Sequence, residues 1–158
     1  MKYLILILAL TTQVTLAFTP ANAPTPQEKA LIAAVLVAEA GGELKVGLSA
    51  VYEVIWKRVS NTNSSYTQVV TKPKQFSCLN SMSKKKLIRK MSKHPRYKWV
   101  HDELLKFPPL TTLTVPKGME KLNTNRSDHY FAHNKVKPSW SNGKGTIIGN
   151  HTFELHRK

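Results

Sequence analysis

Residues 25–43 read TPQEKALIAAVLVAEAGGE, and the rest of the chain has to be arranged around them. Thr25, Pro26 and Glu28 make a helix start. The hydroxyl serves as N-cap, the proline sits where no amide donor is needed, and the glutamate completes a capping box. From Ala30 to Ala38 every residue is apolar, so no face of this helix is suited to water. A helix apolar all round belongs in the centre of a domain. Gly41 and Gly42 end it.

Outward from that helix, Leu48, Val51, Ile55 and Val59 recur at helical spacing and predict a second helix, closed by the polar run Ser60 to Ser64. Tyr66 to Val70 reads as a short helical turn. Ser81 to Lys98 is dominated by Lys84, Lys85, Lys86, Arg89, Lys90, Lys93, Arg96 and Lys98. Tyr97 to Phe107 resumes a helical pattern until Pro108-Pro109 stops it. Leu110 to Val115 alternates loosely. Asp128 to His133, Thr146 to Ile148 and His151 to His156 read as short strands between Pro, Asn and Gly turns. Helices first and strands last predict an α+β domain.

Before residue 25 the sequence changes character. Lys2 is followed by the apolar run Tyr3 to Phe18, then by Pro20 and the pair Ala21 and Ala23, an A-x-A cleavage pattern. Residues 1–23 therefore read as a secretory signal peptide and residues 24–158 as the mature domain. A cut after Ala17 and a retained anchor are the alternatives, although the run is short for a membrane span. The expectation is an exported protein, secreted, periplasmic or in the cell wall, with no stable membrane span after processing.

The 158 residues suit one domain, and 41% hydrophobic residues suffice for a core, which excludes a wholly disordered basic tail. One cysteine excludes an internal disulfide framework and a Cys-based zinc cluster. There is no GxxxxGK[ST] and no strand followed by GxGxxG, so nucleotide-binding readings lack a foothold. Lys plus Arg number 24 against 9 Asp plus Glu, a net charge of +15, and point to an anionic partner. Export argues against nucleic acid as that partner.

Among residues able to do chemistry, Glu39 comes first. It ends the most apolar helix, and a carboxyl set among Val35, Leu36 and Ala38 is disposed to hold its proton, as a general acid must. A helix-end glutamate facing water is the plainer alternative. Glu43 would pair with Glu39 as in a two-carboxylate glycosidase, or simply face the N-terminal dipole of the second helix. The plainer reading is favoured for Glu43. His129 and His133 have the spacing of a zinc helix, but their aromatic surroundings favour a strand and the glutamate of HExxH is missing, so no metal or cofactor is expected. Cys78 with His129 or His151 and Asn150 resembles a Cys-His-Asn set, without a nucleophile signature. Tyr130 and Trp140 are either sugar-stacking platforms or core.

Four islands of sequence together resemble the SleB-type cell wall hydrolase family. Glu39-Ala40-Gly41-Gly42-Glu43 is similar to its E-A-x-G-E, and Ala50-Val51 through Arg58-Val59 to the helix that follows. Gln75-Phe76-Ser77 is similar to its Q-F-S. His129-Tyr130, Pro138, Trp140 and Gly149-Asn150-His151-Thr152-Phe153 are similar to its closing H-[FY]…P-x-W…I-G-x-H-x-F. Lys57 departs from the usual Asn, and Asp128 from the usual small residue or Thr before His129. Residues 79–125 match nothing specific.

The resemblance implies a lysozyme-like α+β domain that cleaves peptidoglycan glycan strands between N-acetylmuramic acid and N-acetylglucosamine. It implies a lytic transglycosylase route with Glu39 as the single acid and base. Glu43, Gln75, Phe76, Tyr130 and Trp140 carry over as substrate-binding candidates, the rings packing on sugar faces. A water-using muramidase with Glu43 or Asp128 as second carboxylate is the alternative enzyme, and a basic wall-binding module the non-enzymatic one. The cationic stretch Lys84 to Lys98 is expected to meet anionic polymers of the envelope.

Overall fold

A computed structural model describes residues 23–106, 129–132, 135, 138, 139, 141 and 143–154. The sequence motif at Thr25 does what its chemistry requires. The Thr25 hydroxyl accepts the Glu28 amide at 3.2 Å, and the Glu28 carboxylate accepts the Thr25 amide at 3.1 Å. Helix α1 (Pro26–Ala40) runs from this cap, and Leu31 to Val37 are all buried along it. Glu28 also accepts the Thr67 amide at 3.1 Å, which ties the start of α1 to the start of α3 (Tyr66–Thr71).

Helix α2 (Lys45–Thr62) buries the predicted row Leu48, Val51, Ile55 and Val59. It runs through Ser60 and Asn61 and ends at Asn63, which takes the left-handed conformation (φ 50°) that Asn tolerates better than most residues. A second capping box that the sequence reading missed, Ser65 with Gln68, starts α3.

Then come α4 (Ser77–Asn80), α5 (Lys84–Met91) and α6 (Tyr97–Asp102). Ser83 caps α5 through the Lys86 amide, and only Leu87 of that helix is fully buried. The helix expected over residues 97–107 is interrupted at Glu103 and continues as a 3-10 turn, Leu104–Lys106. Helices α2, α3, α5 and α6 all pack on α1, which is the centre its composition demanded.

The three strands form one antiparallel sheet in the order β1 (His129–Ala132), β3 (His151–Glu154), β2 (Thr146–Ile148). Tyr130 pairs with Phe153, and Ile148 with His151. Strand β3 is seen from His151 to Glu154, and the rest of the expected stretch to His156 lies outside the described residues. Gly149 and Asn150 form a two-residue turn with Gly149 at φ 57°, the glycine-first pattern of a type II′ hairpin.

The architecture is α+β, a helical body with a small terminal sheet. The apolar run 3–18, the cleavage pattern before Ala23 and the alternating residues 110–115 lie outside the described residues. No helix among the described residues is long and apolar enough to cross a membrane.

Candidate active site

Glu39 is the penultimate residue of α1, half-buried beyond the fully buried Val35 and Leu36. Its Oε1 accepts the Ser77 hydroxyl at 3.2 Å and the Cys78 amide at 3.3 Å, both from the first turn of α4. Two of the sequence islands thus meet in space, because α4 follows directly on Gln75-Phe76. The Cys78 thiol is pushed up to about 12, first by burial and then by the negative charge of Glu39 beside it. A thiol so held is neutral and poorly nucleophilic, which removes the support for a Cys-His-Asn arrangement.

Gln75 is half-buried, and its Oε1 accepts from Arg58 at 2.7 Å. The same guanidinium lies 5.9 Å from the centre of the Phe76 ring. Phe76 is 1% exposed and stands 6.4 Å from the ring of Tyr130. The expectation that Phe76 packs on a sugar face is therefore corrected. A ring so enclosed supports its neighbours and offers no face to a ligand.

Tyr130 lies at the meeting point of the helices and the sheet. It stacks on Phe153 at 5.6 Å and presents an edge contact with His151 at 5.2 Å. Part of the residue is exposed, but its hydroxyl is buried and has no hydrogen-bond partner among the described residues. Its phenol is raised well above the usual range by burial first and by the charge of Glu39 next, with Arg58 opposing and Cys78 and Glu43 adding. The phenol therefore stays protonated at ordinary pH, a neutral group with a proton to donate.

Glu43 lies against the first turn of α2, and its carboxylate has further partners from the sheet. It is 8% exposed, and its Oε1 accepts the Asn150 amide at 3.0 Å and the Nδ1 of His151 at 2.5 Å. The carboxylate fills the space that side chains at Gly47 and Gly149 would need. A Cβ there would lie 2.1 Å and 2.6 Å from Oε2. Around this carboxylate the packing demands glycine at both positions. Gly42, one of the two glycines that end α1, faces open space.

Glu39, Glu43, Gln75, Phe76 and Tyr130 are brought into one connected region, while Trp140 lies outside the described residues. Arg58 and Ser77 were quoted only as parts of motifs, and Cys78 and His151 were weighed only for a Cys-His-Asn set. Their roles were invisible because each acts on a residue far away in sequence. Among the described residues no three His, Cys, Asp or Glu side chains converge to hold a metal.

Glu39 is thus a half-exposed carboxylate held by two donors, in one region with Arg58, Gln75 and Tyr130. The cell wall hydrolase family matches residues 42–154, and the chain belongs to this family, of SleB type. Glu39 stands just before the matched stretch, and Glu43, Arg58, Gln75, Phe76, Tyr130 and His151 stand within it. The family makes the protein a peptidoglycan-degrading enzyme in general terms. Comparison with curated proteins and with solved structures gives no match.

Proposed function

We propose that the protein cleaves peptidoglycan glycan strands between N-acetylmuramic acid and N-acetylglucosamine as a lytic transglycosylase, on a lysozyme-like domain. The observation that carries this reading is the contrast between two carboxylates. Glu39 is half-exposed, whereas Glu43 is enclosed by Asn150, His151 and two glycine backbones. A glycosidase that activates water needs a second carboxylate at the substrate. A transglycosylase needs one, because the nucleophile is the muramic acid's own C6 hydroxyl.

In this mechanism the protonated Glu39 gives its proton to the glycosidic oxygen as the C1–O bond breaks. The resulting carboxylate then takes the C6 hydroxyl proton while that oxygen closes on C1. The product is a 1,6-anhydro end, and Glu39 is again protonated. The Ser77 hydroxyl and Cys78 amide, donors to Oε1, steady the carboxylate form between the two steps. Gln75, with its carbonyl held by Arg58, presents its amide nitrogen toward an N-acetyl oxygen. Residues 1–23 act as a signal for export, and the cationic residues of α5 hold the enzyme on anionic polymers of the wall.

The test is mass spectrometry of fragments released from purified peptidoglycan. Anhydro-muramic ends are expected, with Glu39→Gln lowering their release by at least about a hundredfold. Reducing ends would establish a water-using muramidase instead, and intact glycan with cut peptides would remove the glycosidase reading.

A further inference from the structure

The Glu43–His151 pair spans 108 positions of sequence and joins the segment just before α2 to the first residue of β3. Its surroundings are fitted to it. Gly47 and Gly149 leave the volume the carboxylate fills, and the Asn150 amide donates to the same oxygen as His151. Glu43 Oε2 is buried with no hydrogen-bond partner among the described residues. A buried carboxylate costs stability unless something needs it there.

What lies beyond His151 supplies the need. On the sheet, Tyr130 is paired with Phe153, and His151 lies two residues along the same strand face. The His151 ring meets the edge of the Tyr130 ring, which in turn contacts Phe76, the residue before the α4 donors to Glu39. A displacement of His151 therefore moves the buried Tyr130 hydroxyl relative to Glu39.

We propose that Glu43 is a positioning residue, which through His151 and the Asn150 amide fixes the sheet so that Tyr130 is held against the Glu39 site. The inference rests on Glu39 being the acid and base. It assigns Glu43 no contact with substrate, which departs from the binding role expected from the motif. Glutamine at position 43 retains an oxygen that accepts from both Asn150 and His151. Alanine retains neither.

The experiment compares full-length Glu43→Gln, Glu43→Ala and Gly47→Ala with wild type on solubilised glycan strands. It also follows the ring-carbon NMR signal of Tyr130, and circular dichroism reports folding. Glu43→Ala is expected to lower kcat about ten- to a hundredfold with KM within about twofold, the range for a slight misplacement of catalytic groups. Glu43→Gln is expected to stay within about fivefold of wild type, since the oxygen acceptor survives. Gly47→Ala leaves both partners present but drives a methyl group into the carboxylate, so it should repeat the kcat loss even where Glu43→Ala does not fold. The Tyr130 signal should move in Glu43→Ala and Gly47→Ala and stay in Glu43→Gln.

Wild-type kcat in Gly47→Ala and in a folded Glu43→Ala would overturn the proposal. So would a Glu43→Gln as inactive as Glu43→Ala, which would give the charge itself a chemical role, or a loss confined to KM. The NMR readout is independent of the acid assignment. An active Glu39→Gln with a displaced Tyr130 signal in Glu43→Ala would sink the mechanism and keep the positioning.

Discussion

Cys78 sits half-buried beside Glu39, its thiol raised to about 12 by burial and by that carboxylate's charge. The thiolate is the reactive form, so at pH 8 alkylation by iodoacetamide should be at least about a hundredfold slower than for free cysteine. Glu39→Gln removes the second cause of the shift and should speed the reaction. An unchanged rate in that variant would mean that Glu39 and Cys78 do not face each other. At this scale the sequence was readable where a residue's role is local. The apolar helix leading to Glu39 singled it out, but its partners Ser77 and Cys78, 38 and 39 positions away, were not legible. Phe76 was misjudged because an aromatic residue in a motif looks the same whether it meets a ligand or supports one. Only its enclosure by Arg58 and Tyr130 decides.

At the level of the element, α1 owes its start to the Thr25–Glu28 box. Burial alone would raise the Glu28 carboxyl, but the amides of Thr25 and Thr67 and the Thr25 hydroxyl bring it below the ordinary glutamate value of 4.5. A carboxylate with a lowered folded value stabilises above its unfolded value, and that contribution is lost as pH falls through the folded one. Glu28→Gln should therefore melt below wild type at pH 7, with the gap closing progressively under acid conditions below about 4.5. A gap that persists unchanged at pH 2 would show that charge has no part in the cap. The start of α1 and the closing hairpin were legible because their chemistry spans three or four residues, as in Thr25-Pro26-Gln27-Glu28 and Ile148-Gly149-Asn150-His151, though the equally short Ser65–Gln68 box was missed. Helix α6 was read too long because Leu104 and Leu105 continue the apolar period while the backbone tightens to a 3-10 turn.

Over the whole molecule, charge is unevenly spread. Lys84, Lys85, Lys86, Arg89, Lys90 and Lys93 are exposed, and the chain from Ser81 to Lys98 contains no acidic residue. Exposed charges act through a field screened over about 8 Å at physiological ionic strength, so they govern capture more than bond breaking. Replacing Lys84, Lys85, Lys86, Arg89 and Lys90 by Gln, a comparable helix former, should weaken sedimentation with whole peptidoglycan at low salt. Added salt should bring wild type down to the same level, and cleavage of a short soluble fragment should barely change. Equal binding at every salt concentration would reduce α5 to a solvated face. What no reading of the sequence supplied is the joining of distant parts, since nothing about Glu43 announces a partner at His151. That separation of 108 positions also sets a timetable. At about 5–20 residues per second, a ribosome finishes Glu43 several seconds before it reaches His151. Through that interval α1 and its terminal Glu39 already exist, but the strand that completes their surroundings does not. The newborn chain thus carries Glu39 and its helix long before it carries the strand that closes their surroundings.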